Sequence, residues 1–421
     1  MNGGPGAGLG PARTAALPVM AAALLLVVWV TPARADPNLL LLGEAQRVAV
    51  ETGPASISHT DTRYGVNGTD LGIMWRGADG RTMVAFGDTY GPNGTDWRSG
   101  TLAHSGTTDL SRGMRLDDFV TDRPGHAKEL LPSLKRDNVE MTKIATGGVA
   151  VGGRDYLAYM SVRHWGAPGY WTTNYAGLAT SDDAGQTWTD VPDARRPNTA
   201  GGDDRFQMVA MAPLGGYVYL FGTPNGRAGR TYLARVRSAD LATPTAYQFW
   251  TGTGGWRHGR DQLAVPILPG PVAEISAAYN QALHAWMIMY LDEGHHTLTL
   301  RLGLHPAGPW TPQIVIASAG AYPELYGGFL HPLSNGLDVY FTVSQFAGYN
   351  VSLMRLQLPG NLIATALNQL PIPGLALPNI GPPAPALPVP PIPTLPLPTL
   401  PALPLPALPL VGPPADGTDP H

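Results

Sequence analysis

A strand–turn–strand unit occurs five times in the central part of the chain, and this repetition restricts the fold more than any other feature. Each unit has two short runs rich in β-branched and aromatic residues, separated by turn residues. The paired runs cover residues 73–76 and 82–86, 148–151 and 156–161, 207–211 and 217–221, 275–279 and 285–290, and 329–331 and 337–343. The units begin about 64 residues apart on average, which leaves room for a second hairpin in each. Four strands at this period form a blade, so the sequence predicts an all-β, five-bladed β-propeller over residues 36–360, with a β-sandwich as the alternative.

The first 35 residues have the pattern of an export signal. One positive charge, Arg13, precedes an apolar run over residues 20–30, and Ala33 and Ala35 stand before Asp36. The run is shorter than the roughly 20 residues that a membrane-spanning helix needs. We therefore expect cleavage near Ala35 and a protein that is secreted or held in the cell envelope, without a membrane span in the mature chain. An uncleaved membrane anchor is the alternative.

The C-terminal part is rich in proline. Residues 361–421 hold 19 of the 43 prolines of the chain and no aromatic residue. Proline at every second or third position prevents helix formation and strand pairing and favours extended polyproline II. The sequence therefore predicts a disordered tail over 361–421. A stalk through a cell-wall layer or a docking segment for a partner is the second interpretation, because the alternating Leu and Ala would be sticky in a free tail.

Composition excludes several classes of function. The chain has no cysteine, so it has no disulfide, thiol catalysis or Cys-ligated metal. Its net charge of −4 does not provide the basic stripe that a nucleic-acid-binding protein needs. Its 11 histidines lack the helical spacing of a local metal site. We expect no metal, no cofactor, no nucleic-acid partner and a monomer; the alternative for a metal is a set of ligands gathered from separate blades.

Residues 181–188 read Ser-Asp-Asp-Ala-Gly-Gln-Thr-Trp, which fits the Asp-box pattern of sialidase-like propellers. In this pattern Asp183 caps a tight hairpin, Gly185 takes a positive φ and Trp188 packs beneath the turn. The motif predicts a structural role on the rim of the propeller. We therefore do not place Asp183 in an active site.

The densest group of polar residues lies around the first hairpin, where Asp70 precedes one strand and Asp88 ends the other. If residues 78–80 form a three-residue turn, the two acids face each other with Cβ atoms about 4.5–5.5 Å apart. A two-residue turn would instead send them to opposite faces. Neighbouring carboxylates raise one pKa, and one protonated and one ionised carboxyl group is the pair that glycoside hydrolysis needs. The structural alternative is that both acids cap turns.

Other polar and aromatic residues are suited to bind a sugar, because sugars offer apolar faces to aromatic rings and hydroxyl groups to charged and amide side chains. Each has an alternative role in the core or on the rim. The candidates for substrate binding are Arg163, Trp165, Asn174, Glu274, Tyr279, Tyr326 and His331.

Several motifs together resemble a secreted actinobacterial family, domain of unknown function 4185, which is also glycoside hydrolase family 183. The motifs are residues 60–75, 86–91, 159–163, 181–188, 221–224 and 324–329. The resemblance covers about 45–358 and implies a five-bladed propeller and an endo-D-arabinanase that acts on the arabinan of arabinogalactan or lipoarabinomannan. It also implies that Asp70 and Asp88 are the catalytic pair. A propeller that binds cell-wall polysaccharide or a protein without turnover is the alternative from a different class.

Overall fold

The computed structural model describes residues 39–41, 43–199 and 204–370. The predicted signal segment and the proline-rich residues 371–421 lie outside these ranges. The described residues form 26 β-strands and two short α-helices, α1 (Thr60–Tyr64) and α2 (Gly360–Asn368). Neither helix has the length and apolar character that crossing a membrane requires.

The strands divide equally between the two halves of the described chain. The first half forms β1 (Leu39–Leu41), β2 (Gln46–Val50), β3 (Leu71–Arg76), β4 (Thr82–Phe86), β5 (Leu102–Ser105), β6 (Asp118–Phe119), β7 (Thr121–Arg123), β8 (His126–Ala127), β9 (Thr142–Val151), β10 (Arg154–Trp165), β11 (Trp171–Ser181), β12 (Thr189–Asp190) and β13 (Arg196–Pro197). The second half forms β14 (Met208–Leu214), β15 (Tyr217–Thr223), β16 (Thr231–Arg237), β17 (Gln248–Trp250), β18 (Trp256–His258), β19 (Pro266–Leu268), β20 (Ala273–Asn280), β21 (Ala285–Asp292), β22 (Thr297–Gly303), β23 (Gln313–Ser318), β24 (Leu325–Leu330), β25 (Asp338–Gln345) and β26 (Asn350–Gln357).

These strands build five blades around one axis. Blade 1 is β3-β4-β5-β6, blade 2 is β9-β10-β11-β12, and blade 3 runs from β14 to β18. Blade 4 is β20-β21-β22-β23 with β1 outermost, and blade 5 is β24-β25-β26 with β2 outermost. The inner strands β3, β9, β14, β20 and β24 each contact the next, and β24 contacts β3. The predicted five-bladed propeller and its five aromatic hairpins are therefore confirmed.

Blade 5 joins the two ends of the folded chain. Its outermost strand, β2, comes from the N-terminal side and pairs antiparallel with β26, the last strand. In this register Gln46 faces Arg355 and Val50 faces Ser352. The backbone N–H of Glu51 continues the ladder by donating to the Val351 carbonyl over 2.8 Å. The ring is thus closed by hydrogen bonds between its first and last blade-forming segments.

The folded domain extends further than the sequence indicated. We expected the tail to begin at residue 361, but residues Gly360–Asn368 form α2. Ile363 and Leu367 lie one turn apart on the helix and are buried in the main core together with Leu370. The proline-rich composition that excludes a helix begins only at Pro371. The folded part of the chain therefore includes residues 361–370, which were predicted to belong to the tail.

Leu367→Ala should lower the free energy of unfolding by about 2 kcal/mol, because it removes a buried side chain from the core. We place the effect at the lower end of the usual range, since the helix is terminal and able to shift. Urea denaturation measures it. Leu362→Ala on the same helix is the control, because Leu362 is 45% exposed and its loss should cost less than about 0.5 kcal/mol. Equal effects of the two substitutions would show that α2 does not pack as described.

The octapeptide 181–188 connects β11 to β12 as a hairpin. The Asp183 carboxylate accepts hydrogen bonds from Ser181 Oγ (2.7 Å), from Thr187 N (2.9 Å) and from Thr187 Oγ1 (2.7 Å). Gly185 has a φ of +80°. Trp188 packs against the main core, with its ring 6.5 Å from Trp75. Asp183 thus stabilises this turn between two outer strands of blade 2.

Asp183→Ala should destabilise the protein by about 1 kcal/mol, the scale of a lost capping residue. The activity of the folded fraction should be unchanged. Thermal and urea unfolding measure the first effect. Asp182→Ala is the matched control, because Asp182 is 65% exposed and forms only a surface ion pair with Arg154. Loss of activity in Asp183→Ala without loss of stability would show that this hairpin belongs to the functional site.

Candidate functional site

The starts of four inner strands meet at one end of the propeller. Asp70 precedes β3, Thr142 begins β9, and Glu274 and Tyr326 are second in β20 and β24. Direct hydrogen bonds connect these positions: Tyr326 Oη donates to Asp70 Oδ2 (2.9 Å), and the N–H of Gly327 donates to Glu274 Oε2 (2.9 Å). The ring topology therefore collects polar side chains from blades 1, 2, 4 and 5 around the axis.

The predicted register of blade 1 holds for most of the hairpin but changes at Asp70. From Arg76 to Ile73 the strand pairs as expected for a three-residue turn, with Ile73 facing Ala85. A bulge at Gly72, where φ is +75°, then shifts the pairing by one residue. The N–H of Gly87 donates to the Asp70 carbonyl over 3.1 Å. Asp70 therefore lies opposite Gly87 and not opposite Asp88, which corrects the expected cross-strand pair.

Gly87 leaves the space that the Asp70 carboxyl group occupies. A Cβ atom at this position would lie 2.1 Å from Asp70 Oδ1, far inside van der Waals contact. Asp88, the next residue, remains near enough for its negative charge to raise the pKa of Asp70. The bulge thus keeps the two acids together although they are not cross-strand partners.

Asp70 is surrounded so that its neutral form is favoured. Its Oδ2 atom accepts from Tyr326, its Oδ1 atom is buried, and the Tyr349 hydroxyl lies close enough to the carboxyl group to favour its charged form in part. Burial is the main cause that raises the pKa of Asp70 to about 8, and the negative charges of Asp88 and Glu274 add to it. The hydrogen bond from Tyr326 opposes this shift in part. Asp70 therefore carries its proton at neutral pH.

Asp88 is also buried but has more groups that favour its charged form. Its Oδ1 atom accepts a short hydrogen bond of 2.6 Å from Thr142 Oγ1. Burial raises the pKa of Asp88 to about 6, while Thr142, Trp97 and the charge of Lys135 act in the opposite direction. The two acids therefore differ in their proton affinity, and Asp88 is the one that ionises first.

Glu274, predicted to bind substrate, is instead held by protein groups. Its Oε1 atom accepts from Arg227 Nη2 (2.8 Å) and Nε (3.1 Å), and Gly327 binds its Oε2 atom. The guanidinium of Arg227 also lies 5.4 Å from the centre of the Tyr326 ring. Glu274 is thus a fixed negative charge beside Asp70, and Tyr326, another predicted substrate residue, contacts Asp70 directly.

Three aromatic residues that the sequence interpretation missed lie beside the two acids. Tyr90 stacks on Trp97 with ring centres 6.4 Å apart and meets the edge of Tyr349 at 5.8 Å. Burial and the charges of Asp70 and Asp88 raise the pKa of both Tyr90 and Tyr349. The indole N–H of Trp97 is buried near Asp88 and lowers the pKa of that acid. A signal for Tyr90 and Trp97 existed, because both follow Asp88 within nine residues.

Arg163, Trp165 and Asn174 lie at the same end of the propeller, but further from the axis. They stand where β10 ends and β11 begins, next to Val162, which pairs with Thr142. Arg163 Nε donates to the Asn138 carbonyl (3.1 Å), and Asn174 Nδ2 donates to the carbonyl of residue 139 (2.7 Å). Trp165 is 37% exposed. Substrate binding by these residues stays a prediction.

Tyr279 and His331 lie at the other end of the inner strands, so their assignment to the site is corrected. Tyr279 stands five residues after Glu274, and His331 stands five residues after Tyr326. Five residues span about 16 Å along a strand. Tyr279 packs on Trp286 with ring centres 5.5 Å apart. His331 is 1% exposed, its Nδ1 atom accepts from the N–H of residue 333, and burial lowers its pKa to about 3. Both residues are part of the packed blades.

Acidic and imidazole side chains do not converge as a set of metal ligands. The described part of the chain contains no group of three or more His, Asp or Glu side chains arranged to hold a metal ion. The polar residues of the site instead bind one another, as Glu274 binds Arg227 and Asp88 binds Thr142. The site therefore offers acid–base chemistry from its own carboxyl groups.

Residues 55–355 match the family described as "Domain of unknown function (DUF4185)". The chain belongs to this family. Two fungal relatives are similar along most of their length. "Notoamide biosynthesis cluster protein J" of Aspergillus sp. (strain MF297-2) is 31% identical over 307 residues, which is 68% of this chain and 81% of that protein. "Notoamide biosynthesis cluster protein J'" of Aspergillus versicolor is 30% identical over 347 residues, 77% of this chain and 91% of that protein.

The solved structures that resemble this DUF4185 chain have low sequence identity with it. The GH43_1 enzyme from Xanthomonas citri has 13% sequence identity and a TM-score of 0.42, over 74% of this chain and 89% of that chain. The exo-beta-1,3-galactanase from Phanerochaete chrysosporium has 12% identity and a TM-score of 0.46, over 75% of this chain and 64% of that chain. No statement about the chemistry of this chain follows from either similarity.

Proposed function

We propose that this protein is a glycoside hydrolase in which Asp70 is the general acid and Asp88 the general base. The observation that carries the proposal is the pair itself: two neighbouring buried carboxyl groups whose pKa values are raised to about 8 and about 6. Two carboxyl groups with environments that separate their pKa values are the requirement for glycoside hydrolysis. Between these two pH values one group is protonated and the other ionised.

The proposed reaction uses both states. Asp70 transfers its proton to the glycosidic oxygen as the bond from that oxygen to the anomeric carbon breaks. A water molecule adds to the anomeric carbon and gives a proton to Asp88. Glu274, held by Arg227 and by the N–H of Gly327, keeps a negative charge near Asp70 and so favours its protonated form. Proton exchange with solvent then restores the protonated form of Asp70 and the ionised form of Asp88.

The pH profile should reflect both acids. Since Asp88 must be ionised, kcat/KM should rise with pH through about 6, and since Asp70 must be protonated, it should fall through about 8. Initial rates in buffers from pH 4 to 10 at constant ionic strength measure the profile. The protein itself should remain folded over this range, as checked by circular dichroism. A profile without a falling limb above pH 7 would contradict the assignment of Asp70.

Aromatic side chains provide surfaces for sugar rings near the acids. Tyr90, Trp97 and Tyr349 stand beside the pair, and Tyr170 is 66% exposed on the β10–β11 hairpin loop. This loop is fixed by hydrogen bonds, including one of 3.0 Å from the N–H of Arg227 to the carbonyl of residue 169. An exposed but fixed aromatic ring suits the apolar face of a sugar. We propose that Tyr170 binds a sugar unit away from the bond that is cleaved.

We propose D-arabinan as the substrate, cut within the chain, and secretion or cell-envelope location of the protein. The support is the resemblance of residues 60–75 and 86–91 to endo-D-arabinanases and the export pattern of the first 35 residues. Purified protein should release oligosaccharides of several sizes from arabinogalactan and lipoarabinomannan. Xylan and arabinan-free galactan serve as controls. Release from xylan alone would support the assignment as a glycoside hydrolase and contradict arabinan as its substrate.

A second candidate is a propeller that binds a ligand without turnover. The observation that favours it is that both acids are buried and hydrogen-bonded to protein groups, Asp70 to Tyr326 and Asp88 to Thr142, as structural acids are. This candidate predicts that arabinogalactan retards the protein in affinity electrophoresis while no oligosaccharide appears. Release of product that depends on both Asp70 and Asp88 would exclude it.

A further inference from the structure

A second cleft opens between residues 57–63 and residues 107–115. Its volume is about 610 Å³, within the range of ligand-binding pockets. It shares no lining residue with the Asp70–Asp88 site. The proposed hydrolase chemistry therefore leaves this cleft without a role.

Positive charge dominates the cleft. Arg63, Arg112 and Arg115 line it together with His59, and Asp109 is the one acid among the lining residues. The Asp109 carboxylate already accepts a hydrogen bond of 3.0 Å from the N–H of residue 111. The lining thus has an excess of guanidinium over carboxylate groups, which favours an anionic ligand.

Two of the three guanidinium groups remain available to a ligand. Arg63 is used in the fold, because it donates to the carbonyls of residues 58 (3.1 Å) and 117 (2.8 Å) and to the Tyr64 hydroxyl (2.7 Å). Arg112 and Arg115 are exposed, and neither side chain forms a hydrogen bond or salt bridge with another described residue, although Arg112 lies near enough to Asp109 for its charge to contribute to the lowered pKa of that acid. These two side chains are therefore free to bind a ligand that enters the cleft.

The acid buried behind the wall of the cleft, Glu51, does not cancel this charge. Glu51 is fully buried behind Gly113, where a Cβ atom would lie 3.2 Å from Glu51 Oε1. That oxygen accepts from the N–H of Met114 over 2.7 Å. Burial raises the pKa of Glu51 to about 8, so the group is neutral at pH 7. The cleft keeps its positive potential for this reason.

We propose that Arg112 and Arg115 bind an oxyanion, a phosphate or carboxylate group, in this cleft. The planar guanidinium fork matches the oxygen geometry of both groups and is able to bind them through two hydrogen bonds. Ile57, 45% exposed, adds an apolar wall for the part of the ligand that carries the anion. This second site is independent of the proposed hydrolase activity.

Titration of the full chain with inorganic phosphate at constant ionic strength, followed by calorimetry, tests the proposal. The wild type should show saturable binding. The double variant Arg112→Gln/Arg115→Gln should bind at least tenfold more weakly, and Arg115→Lys, which keeps the charge but loses the fork, should bind with intermediate affinity. Arg76→Gln is the matched control, because Arg76 is an exposed arginine at the end of β3 and is not a lining residue of the cleft. Its affinity should equal that of the wild type.

Two further ligands identify the anion. Tighter binding of glucose 1-phosphate than of glucuronate supports a phosphate site, and the reverse supports a carboxylate site. The proposal is overturned if phosphate does not bind saturably, or if the double variant and Arg76→Gln bind it alike. Melting temperatures of all variants should match the wild type, since the substituted arginines are exposed. If the double variant melts at a lower temperature than the wild type, the phosphate affinity of Arg115→Lys is compared with that of the wild type instead.

Discussion

Replacement of Asp70 by Asn is expected to reduce turnover by a factor of about 100 or more and also to stabilise the folded protein at pH 7. The loss follows from removal of the proton donor. The gain follows from linkage: burial raises the pKa of Asp70 to about 8, above its unfolded value of 3.8. The folded state thus holds a proton that the unfolded state releases, so stability falls as pH rises from about 4 to 8. Asn removes this cost, which we place at about 4 kcal/mol at pH 7.

Asp88→Asn should reduce turnover by a similar factor of about 100. Its gain in stability at pH 7 should be smaller, because the pKa of Asp88 is raised only to about 6. Product release and urea unfolding, measured on the same preparations, check both variants. Asp182→Asn, an exposed substitution outside the site, should change neither quantity. If Asp70→Asn destabilises the protein and keeps more than a tenth of its turnover, Asp70 is a structural residue and the catalytic assignment is wrong.

Glu51→Gln should stabilise the protein by about 3 kcal/mol at pH 7 without changing its activity. Glu51 is buried, its Oε2 atom has no hydrogen-bond partner among the described residues, and burial raises its pKa from 4.5 to about 8. Stability is therefore lost as pH rises between these two values. Gln keeps the acceptor for the N–H of Met114 and cannot ionise.

The pH dependence provides the internal control for Glu51→Gln. Near pH 4 both proteins are neutral at this position, so their unfolding free energies should agree within about 0.5 kcal/mol. The difference should then grow steadily up to pH 8. Urea unfolding at five pH values measures it. A difference that is constant with pH would mean that Gln acts through packing and that Glu51 does not hold a proton in the folded protein.

The propeller was predictable because its evidence is local: each blade begins with a hairpin of about 20 residues whose runs and turn are adjacent in sequence. The pairing of Asp70 was not predictable to the same accuracy. Gly72, between Asp70 and Ile73, fits a regular strand and a bulge equally well. The bulge that forms there shifts the pairing of the two strands by one residue. The sequence therefore predicted the neighbourhood of the two acids correctly and their cross-strand pairing wrongly.

Direction along the strands explains the errors at Tyr279 and His331. Residue type alone suggested sugar binding, but both residues stand six positions beyond the first residue of an inner strand. The contacts of Glu274 with Arg227 and of Asp88 with Thr142 join different blades, and no local pattern predicts them. The helix α2 was missed for another reason, since composition averaged over residues 361–421 concealed ten residues without proline.

Because the site residues come from different blades, the proposed catalysis depends on the whole assembly. Asp70, Thr142, Glu274 and Tyr326 come from blades 1, 2, 4 and 5, and blade 5 is complete only when β2 has paired with β26. A molecule with one of these blades detached retains most of its secondary structure but has no intact set of site residues. The proposed activity, assayed during refolding, should therefore appear only when the ring has joined, and circular dichroism recorded in parallel would show whether the separate sheets form earlier.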